Sequence, residues 1–187
     1  MLSFSGGPGC TGDVRERRGR RRYDRPMEVR LAHHEDAEAI RAIYNTEVLG
    51  STVTFDLTPR TVEEQRTWIA RHQGAHPAVV AVEGFTVVGF GSLSSFRDRA
   101  AYATTVEDSL YVDNAWRGKG VGRLLLEELV ALALARGFHT VMARVSGDNE
   151  PSIALHKACG FELVGVEREV GRKFGRWVDV SIWQRML

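Results

Sequence analysis

Arg117-Gly-Lys-Gly-Val-Gly122 sets three glycines at alternate positions between an alternating stretch, Asp108-Ser-Leu-Tyr-Val-Asp113, and a leucine-rich segment that begins near Gly120. Glycine takes positive φ without strain and carries no side chain, so such a turn brings successive backbone N–H groups and a helix N-terminus close to an anion. The chemistry this suits is the cradling of phosphate oxygens. A Walker loop would need G-x-x-x-x-G-K-[ST], but Arg123 follows Gly122, so the ATPase and kinase readings lack their cation. A Rossmann G-x-G-x-x-G is missed too, because the glycines fall at every second position. What remains is R-x-x-G-x-G after a strand.

The elements that would position this turn are legible around it. Val121, Leu124, Leu125, Leu129 and Leu132 recur at helical spacing, and Arg136-Gly137 supplies a cationic last turn and a stop. His139–Val145 then reads as a strand, and Asn149-Glu-Pro-Ser-Ile-Ala-Leu-His-Lys-Ala-Cys-Gly-Phe161 as a helix capped by Asn149 and ended by Gly160. Upstream, Glu28–Leu31 is strand-like, and Asp36 to about Leu49 predicts a helix with Ile40, Ile43 and Tyr44 inward. Thr61-Val-Glu-Glu64 is a capping box for a helix ending by Gly74. Strands follow at Ala78–Glu83, Thr86–Phe96 and Ala103–Asp113, and a last pair at Phe161–Glu169 and Trp177–Met186 is joined by a loop bearing Gly and Arg. The pattern predicts one α+β domain over residues 27–187, with a central mixed, mostly antiparallel sheet flanked by helices.

R-x-x-G-x-G resembles the pyrophosphate-binding motif of the GNAT superfamily of N-acetyltransferases, and Asn149–Phe161 resembles that superfamily's N-x-x-[AS]-x-x-[LF]-[YH]-x-x-x-G-F segment. The resemblance runs from about Met27 to the end. Ala42-Ile-Tyr-Asn45, Ser51-Thr-Val-Thr-Phe55, Thr105-Val-Glu-Asp-Ser-Leu-Tyr-Val112, Leu155-His156 and Lys173-Phe-Gly-Arg-Trp-Val-Asp179 with Trp183-Gln184 are similar to the phosphinothricin and methionine sulfoximine N-acetyltransferases. This implies transfer of acetyl from acetyl-CoA to the amine of a small amino-acid analogue. It implies cofactor contacts from Leu110, Tyr111 and Val112, from Arg117, Gly118, Lys119, Gly120, Val121, Gly122 and Arg123, and from Asn149 and Ser152.

Acetyl transfer needs a group that takes a proton from the attacking ammonium. Glu107 is the candidate, since the resembling enzymes assign that role to the glutamate of T-[VA]-E-x-[ST]; the alternatives are an anchor for the amine and a solvated strand carboxylate. A backbone N–H from Leu110 to Val112 could polarise the thioester carbonyl if a bulge or strand splay frees it. His156 stands where many members carry tyrosine, and is either a proton donor to the leaving thiolate, a cofactor contact or a packing residue. For the acceptor, Phe96-Arg-Asp-Arg-Ala-Ala-Tyr102 would overhang the sheet, with Arg97 or Arg99 gripping a carboxylate, Tyr102 walling the pocket and Asp98 beside them. Asp108 and Ser109 are further polar candidates, although alternation sets Glu107 and Ser109 on one face and Asp108 on the other.

Composition permits this reading without requiring it. The chain has 187 residues, 43% hydrophobic, and a net charge of +1, enough for one sizeable core and no call for an acidic partner. Cys10 and Cys159 make no disulfide framework, which favours a cytoplasmic setting, and no run spans a bilayer. His33, His34, His72, His76 and His139 lack ligand spacing with cysteine or carboxylates, so no metal is predicted. Residues 1–26, rich in Gly and Arg, are expected to be a disordered extension before Met27. A homodimer is implied by the resemblance, with Trp177 as a packing residue. Two other functions remain open: acetylation of proteins or peptides, and a non-catalytic protein of this fold binding RNA through the Arg-rich arm. Glu107, Arg117–Gly122 and Asn149 together favour the small-molecule enzyme, so nucleic acid is not the expected partner.

Overall fold

Val79 and Ala81 alternate with Ala78 and Val80, and all four are buried in two separate apolar layers. A strand buried on both faces needs helices above and below it. The computed structural model, which describes residues 27–147 and 149–187, has that arrangement; the expectations for residues 1–26 lie outside the described residues. Seven strands form one sheet: β1 (Glu28–Leu31), β2 (Ala78–Glu83), β3 (Thr86–Ser95), β4 (Thr105–Val112), β5 (Thr140–Ser146), β6 (Glu162–Lys173) and β7 (Arg176–Met186). Their order among the described residues is β1-β2-β3-β4-β5-β7-β6, and only β4–β5 is parallel. Helices α1 (Ala37–Gly50) and α2 (Val62–Arg71) cover one face, and α3 (Val121–Ala135) and α4 (Glu150–Ala158) cover the other. The expected α+β domain is therefore the observed one.

Local chemistry sets the helix ends. Thr61 Oγ1 accepts from the Glu64 N–H at 3.2 Å while the Thr61 N–H donates to Glu64 Oε2 at 2.7 Å, which starts α2 where the capping box predicted. Asn149 Oδ1 accepts from the Ser152 N–H and caps α4. Removing either cap would cost about 1 kcal/mol. Helix α3 lies close on the sheet because β3 presents glycine beneath it: a Cβ on Gly91 would sit 2.9 Å from Leu129 Cδ1. Leu125, Leu126 and Leu129 are fully buried there, each contributing about 1.5–3 kcal/mol by leaving water.

Two expectations change in detail. Leu124 is 41% exposed, and Leu126 takes the inward position instead. The expected loop between the last strands shrinks to Phe174-Gly175, both at positive φ, because β6 runs on to Lys173 past irregular pairing between Glu167 and Gly171. Trp177, expected to pack in a homodimer, is 60% exposed in the single chain and lies under the Arg172 guanidinium.

The site depends on how β4 and β5 pair. Their register runs Thr105↔Thr140, Val106↔Val141, Glu107↔Met142 and Asp108↔Ala143, and stops there. Beyond that point the two strands part, each still paired on its outer edge, β4 to β3 and β5 to β7.

Candidate active site

A cavity of about 550 Å³ opens in this gap, lined by Leu110 and Val112 of β4, Ala143 and Val145 of β5, the glycine turn and the start of α4. The Asp113 N–H donates to Val88 O across the β3–β4 pair. Backbone polar groups of an antiparallel strand alternate in direction, so those of Leu110 and Val112 point the other way, into the gap. Tyr111 has the opposite phase; its ring stacks on Phe90 and meets Tyr44 edge-on, each at 5.1 Å between centroids. Of the three β4 residues expected at the cofactor, Leu110 and Val112 therefore face the gap with their backbone.

The turn delivers α3 into the same cavity. Gly120 sits at φ 85°, a left-handed conformation, and no side chain caps the helix. Val121, Gly122 and Arg123 line the cavity and occupy the first helical positions, whose N–H groups have no intrahelical acceptor. Gly122 is needed for a different reason: a Cβ there would lie 3.1 Å from Leu155 Cδ2, so its absence lets α4 approach the turn. The side chains are already engaged. Arg117 pairs with Glu47 and its Nε donates to Val112 O at 3.3 Å, Lys119 Nζ stands 4.5 Å over the Trp116 ring, and Arg123 Nε donates to Glu127 Oε1 at 2.7 Å. The anion-facing surface of the turn is mainly backbone.

The two faces of β4 carry different acid–base groups. Glu107 is half-buried, lies outside the cavity lining, and its carboxylate has no hydrogen-bond partner among the described residues. Burial raises its pKa above the ordinary glutamate value, Arg144 opposes the rise, and the charges of Asp108 and Glu167 add to it. On the other face His156 and Asp108 are 3% and 5% exposed, and His156 Nε2 lies 3.2 Å from Asp108 Oδ2. His156 Nδ1 lies 2.8 Å from Ser152 O. Burial disfavours a charged imidazole, but the hydrogen bond and charge of Asp108 and the Ser152 carbonyl together lift the His156 pKa above the ordinary histidine value. Ser152 and His156 both line the cavity, as does Asn149.

The expected acceptor loop is less directly placed. Arg97 lies over the Phe96 ring at 4.9 Å and near Tyr102 at 5.5 Å, Asp98 and Arg99 are exposed, and none of Arg97, Asp98, Arg99 and Tyr102 lines the cavity. Asp108 and Ser109 do line it. Four residues that were not among the candidate site residues, Arg144, Glu167, Glu47 and Lys173, also shape this end. Arg144, on the same sheet face as Glu107, lines the cavity and pairs with Glu167 of β6. Buried Glu47 holds Arg117 through Oε1 and accepts from Ser51 Oγ through Oε2. Buried Lys173 donates to Thr54 O at 2.8 Å and stands 3.5 Å from Glu47 O, tying the segment after α1 to β6. These contacts join distant parts of the chain, and a one-dimensional pattern carries no trace of them.

Comparison with known proteins agrees with the geometry. Residues 29–183 match the family described as the acetyltransferase (GNAT) domain. The chain is 38% identical over 165 residues to the phosphinothricin N-acetyltransferase of Streptomyces coelicolor, an overlap covering 86% of this chain and 96% of the relative. It is 37% identical over 158 residues to the L-methionine sulfoximine/L-methionine sulfone acetyltransferase of Pseudomonas paraeruginosa, covering 83% and 92% of the two chains. A solved phosphinothricin acetyltransferase from Sinorhizobium meliloti, in complex with acetyl-CoA, superposes with a TM-score of 0.83 at 40% identity, covering 86% of this chain and 88% of that one.

Proposed function

The chain belongs to the GNAT acetyltransferase family and uses acetyl-CoA, and from that premise we propose that its acceptor is the amine of a small amino acid or analogue of the phosphinothricin, methionine sulfoximine or methionine sulfone type. The observation that carries the reading is the parting of β4 and β5 around the cavity, with the unpartnered carboxylate of Glu107 at the last paired positions, just outside the lining.

The residues present fit acetyl-CoA. The uncapped N–H groups of Val121, Gly122 and Arg123 suit a pyrophosphate, and the free backbone edge at Leu110 and Val112 suits the amide-bearing arm that follows it. Bound there, the cofactor supplies an activated acetyl thioester. Glu107 takes the proton of the incoming ammonium from the far face, its raised pKa bringing it nearer the working pH. A backbone N–H of Leu110 or Val112 receives the developing negative oxygen. His156, on the cavity face, gives a proton to the departing thiolate. An arginine at the mouth holds the acceptor's anionic group: Arg144 shares the Glu107 face, whereas Arg97 and Arg99 lie outside the lining.

We read the active form as a cytoplasmic homodimer. Leu163, Val164 and Val166 lie more than half exposed on the edge strand β6 and offer an apolar contact surface. No helix among the described residues is long and apolar enough to cross a membrane.

The test is a thiol-release assay with acetyl-CoA against amino acids, methionine sulfone and sulfoximine, phosphinothricin and short peptides, run on the full chain and on a chain beginning at Met27. Turnover of a small amino acid or analogue by both forms is the expected result. Turnover of peptides alone would replace the small-molecule reading with a protein or peptide acetyltransferase.

A further inference from the structure

The hydrogen-bond inventory around His156 assigns a function to its neighbour. Ser152 O can only accept, so Nδ1 at 2.8 Å carries a proton. With Asp108 ionised, its Oδ2 can only accept as well, and Nε2 at 3.2 Å then carries a second proton. The other carboxylate oxygen, Asp108 Oδ1, is buried and takes no hydrogen bond among the described residues. A carboxylate so enclosed is costly unless a charge compensates it, and a doubly protonated imidazole supplies that charge.

The surroundings offer no other cation in contact. Asp108 comes from β4, and the titratable groups that it meets besides His156 are its strand neighbour Glu107 and the thiol of Cys159, just past the end of α4. Phe161 meets the imidazole edge-on at 5.0 Å. Lys157 of α4 is turned to the Trp183 ring at 5.4 Å, and on the β5 side of the cavity Ala143 and Val145 share the Asp108 face while Arg144 lies on the other face, paired with Glu167.

We propose that Asp108 is a positioning residue for thiol release: it holds His156 oriented and doubly protonated on the cavity face of β4, and the pair is the proton donor to the leaving thiolate. Asp108 thus serves the leaving group and does not touch the acceptor amine. As the C–S bond breaks, its electron pair stays on sulfur, which takes the Nε2 proton; His156 becomes neutral and keeps its Nδ1 proton on Ser152 O. The ammonium gives up two protons on becoming an amide. One replaces the proton lost by His156, and the other leaves to solvent.

The inference uses the acetyl-transfer reading for its kinetics but not for its spectroscopy. In the full chain labelled with ¹⁵N-histidine, the His156 signals, assigned by their loss in His156→Gln, should report both nitrogens protonated at neutral pH and titrate above the ordinary histidine value. In Asp108→Asn the titration should move to lower pH, and the basic limb of the kcat profile should move down with it, while the acceptor KM stays within about twofold. A single neutral tautomer in the unmodified chain at pH 7 would overturn the pairing without need of any variant. A raised acceptor KM with an unmoved pH profile in Asp108→Asn would make Asp108 an acceptor contact and overturn it too. If no amine is acetylated, the functional reading falls, and the titration still decides the state of the pair.

Discussion

The glycine turn and the proposed acceptor mouth border one cavity and are made of different material. The turn is a contiguous run, residues 117–123, that works through backbone N–H groups and the left-handed Gly120. The proposed mouth draws on side chains of separate elements: Glu47 of α1 and Arg144 of β5 line the cavity, and Lys173 and Glu167 of β6 hold them from outside the lining. Backbone geometry demands particular residues at fixed spacing, and so leaves a mark in the sequence. Side chains converge only after strands have chosen their register, and any residue long enough to reach can serve. A ligand bound by the first kind of site is therefore easier to identify than one bound by the second.

The largest expected effect lies between the two regions. Glu107→Gln keeps shape but cannot accept a proton, so saturated turnover should fall by about 10²–10⁴-fold, while calorimetry should find acetyl-CoA affinity unchanged. The pH dependence has a definite sign. With its pKa raised by burial, Glu107 is protonated, and useless as a base, below a value higher than the ordinary 4.5. Activity of the unmodified chain should accordingly fall as pH drops through that raised value, and Glu107→Gln should lose this limb. A variant that keeps its turnover at saturation and only raises the acceptor KM would make Glu107 an anchor of the mouth instead.

Next in size is a perturbation confined to the turn. Gly120→Asp forces a side chain into the left-handed region, at about 1–2 kcal/mol, and sets a negative charge where we propose that the cofactor's pyrophosphate binds. A Cβ at Gly120 meets nothing within 4 Å, so the fold should survive. Acetyl-CoA affinity should drop by about tenfold or more, equivalent to roughly 1.4 kcal/mol. Gly122→Asp should differ: its Cβ would crowd Leu155 Cδ2 at 3.1 Å, so the melting temperature should fall along with affinity. Equal melting temperatures for the two variants would show that the turn tolerates bulk at both positions and would weaken the division between conformational and packing glycines.

The same contrast explains what the sequence could disclose. Thr61 and Glu64 announce α2, and Asn149 announces α4, because a cap is a local bond between near neighbours. The phase of α3 was harder to read: Leu124-Leu-Leu126 gives three equivalent side chains in a row, and only the positions of the sheet and α4 decide that Leu124 faces solvent. The end of β6 was misread for a related reason. Glu169, Gly171 and Arg172 have loop-like composition, yet they pair or lie beside β7, and Gly171 is pressed so close to Phe55 that a Cβ would come within 2.2 Å of the ring. In the sequence Asp108 is a further polar candidate on the opposite face of its strand from Glu107. Its partner stands 48 positions away, so only the packing of α4 against β4 discloses the pair.

The smallest effect expected is at the mouth, where it discriminates between two sets of arginines. Arg144 is about one-third exposed and already pairs with Glu167, so the pair itself adds about 0–1 kcal/mol to stability. Arg144→Leu should therefore leave the melting temperature nearly unchanged. A charge-assisted bond to the acceptor's carboxylate would contribute about 1.5–3 kcal/mol, and regaining solvent access for Glu167 offsets part of its loss, so the acceptor KM should rise by about three- to tenfold with the acetyl-CoA KM unmoved. Arg97→Ala is the control, because Arg97 lies over Phe96 and Tyr102 and outside the cavity lining. Its acceptor KM should stay within about twofold of the unmodified chain. If Arg97→Ala has the larger effect, the anionic group rests on the 96–102 loop, where the sequence first placed it. The mouth would then be as contiguous as the turn, and the difference between the two regions would no longer explain why the acceptor is the harder ligand to read.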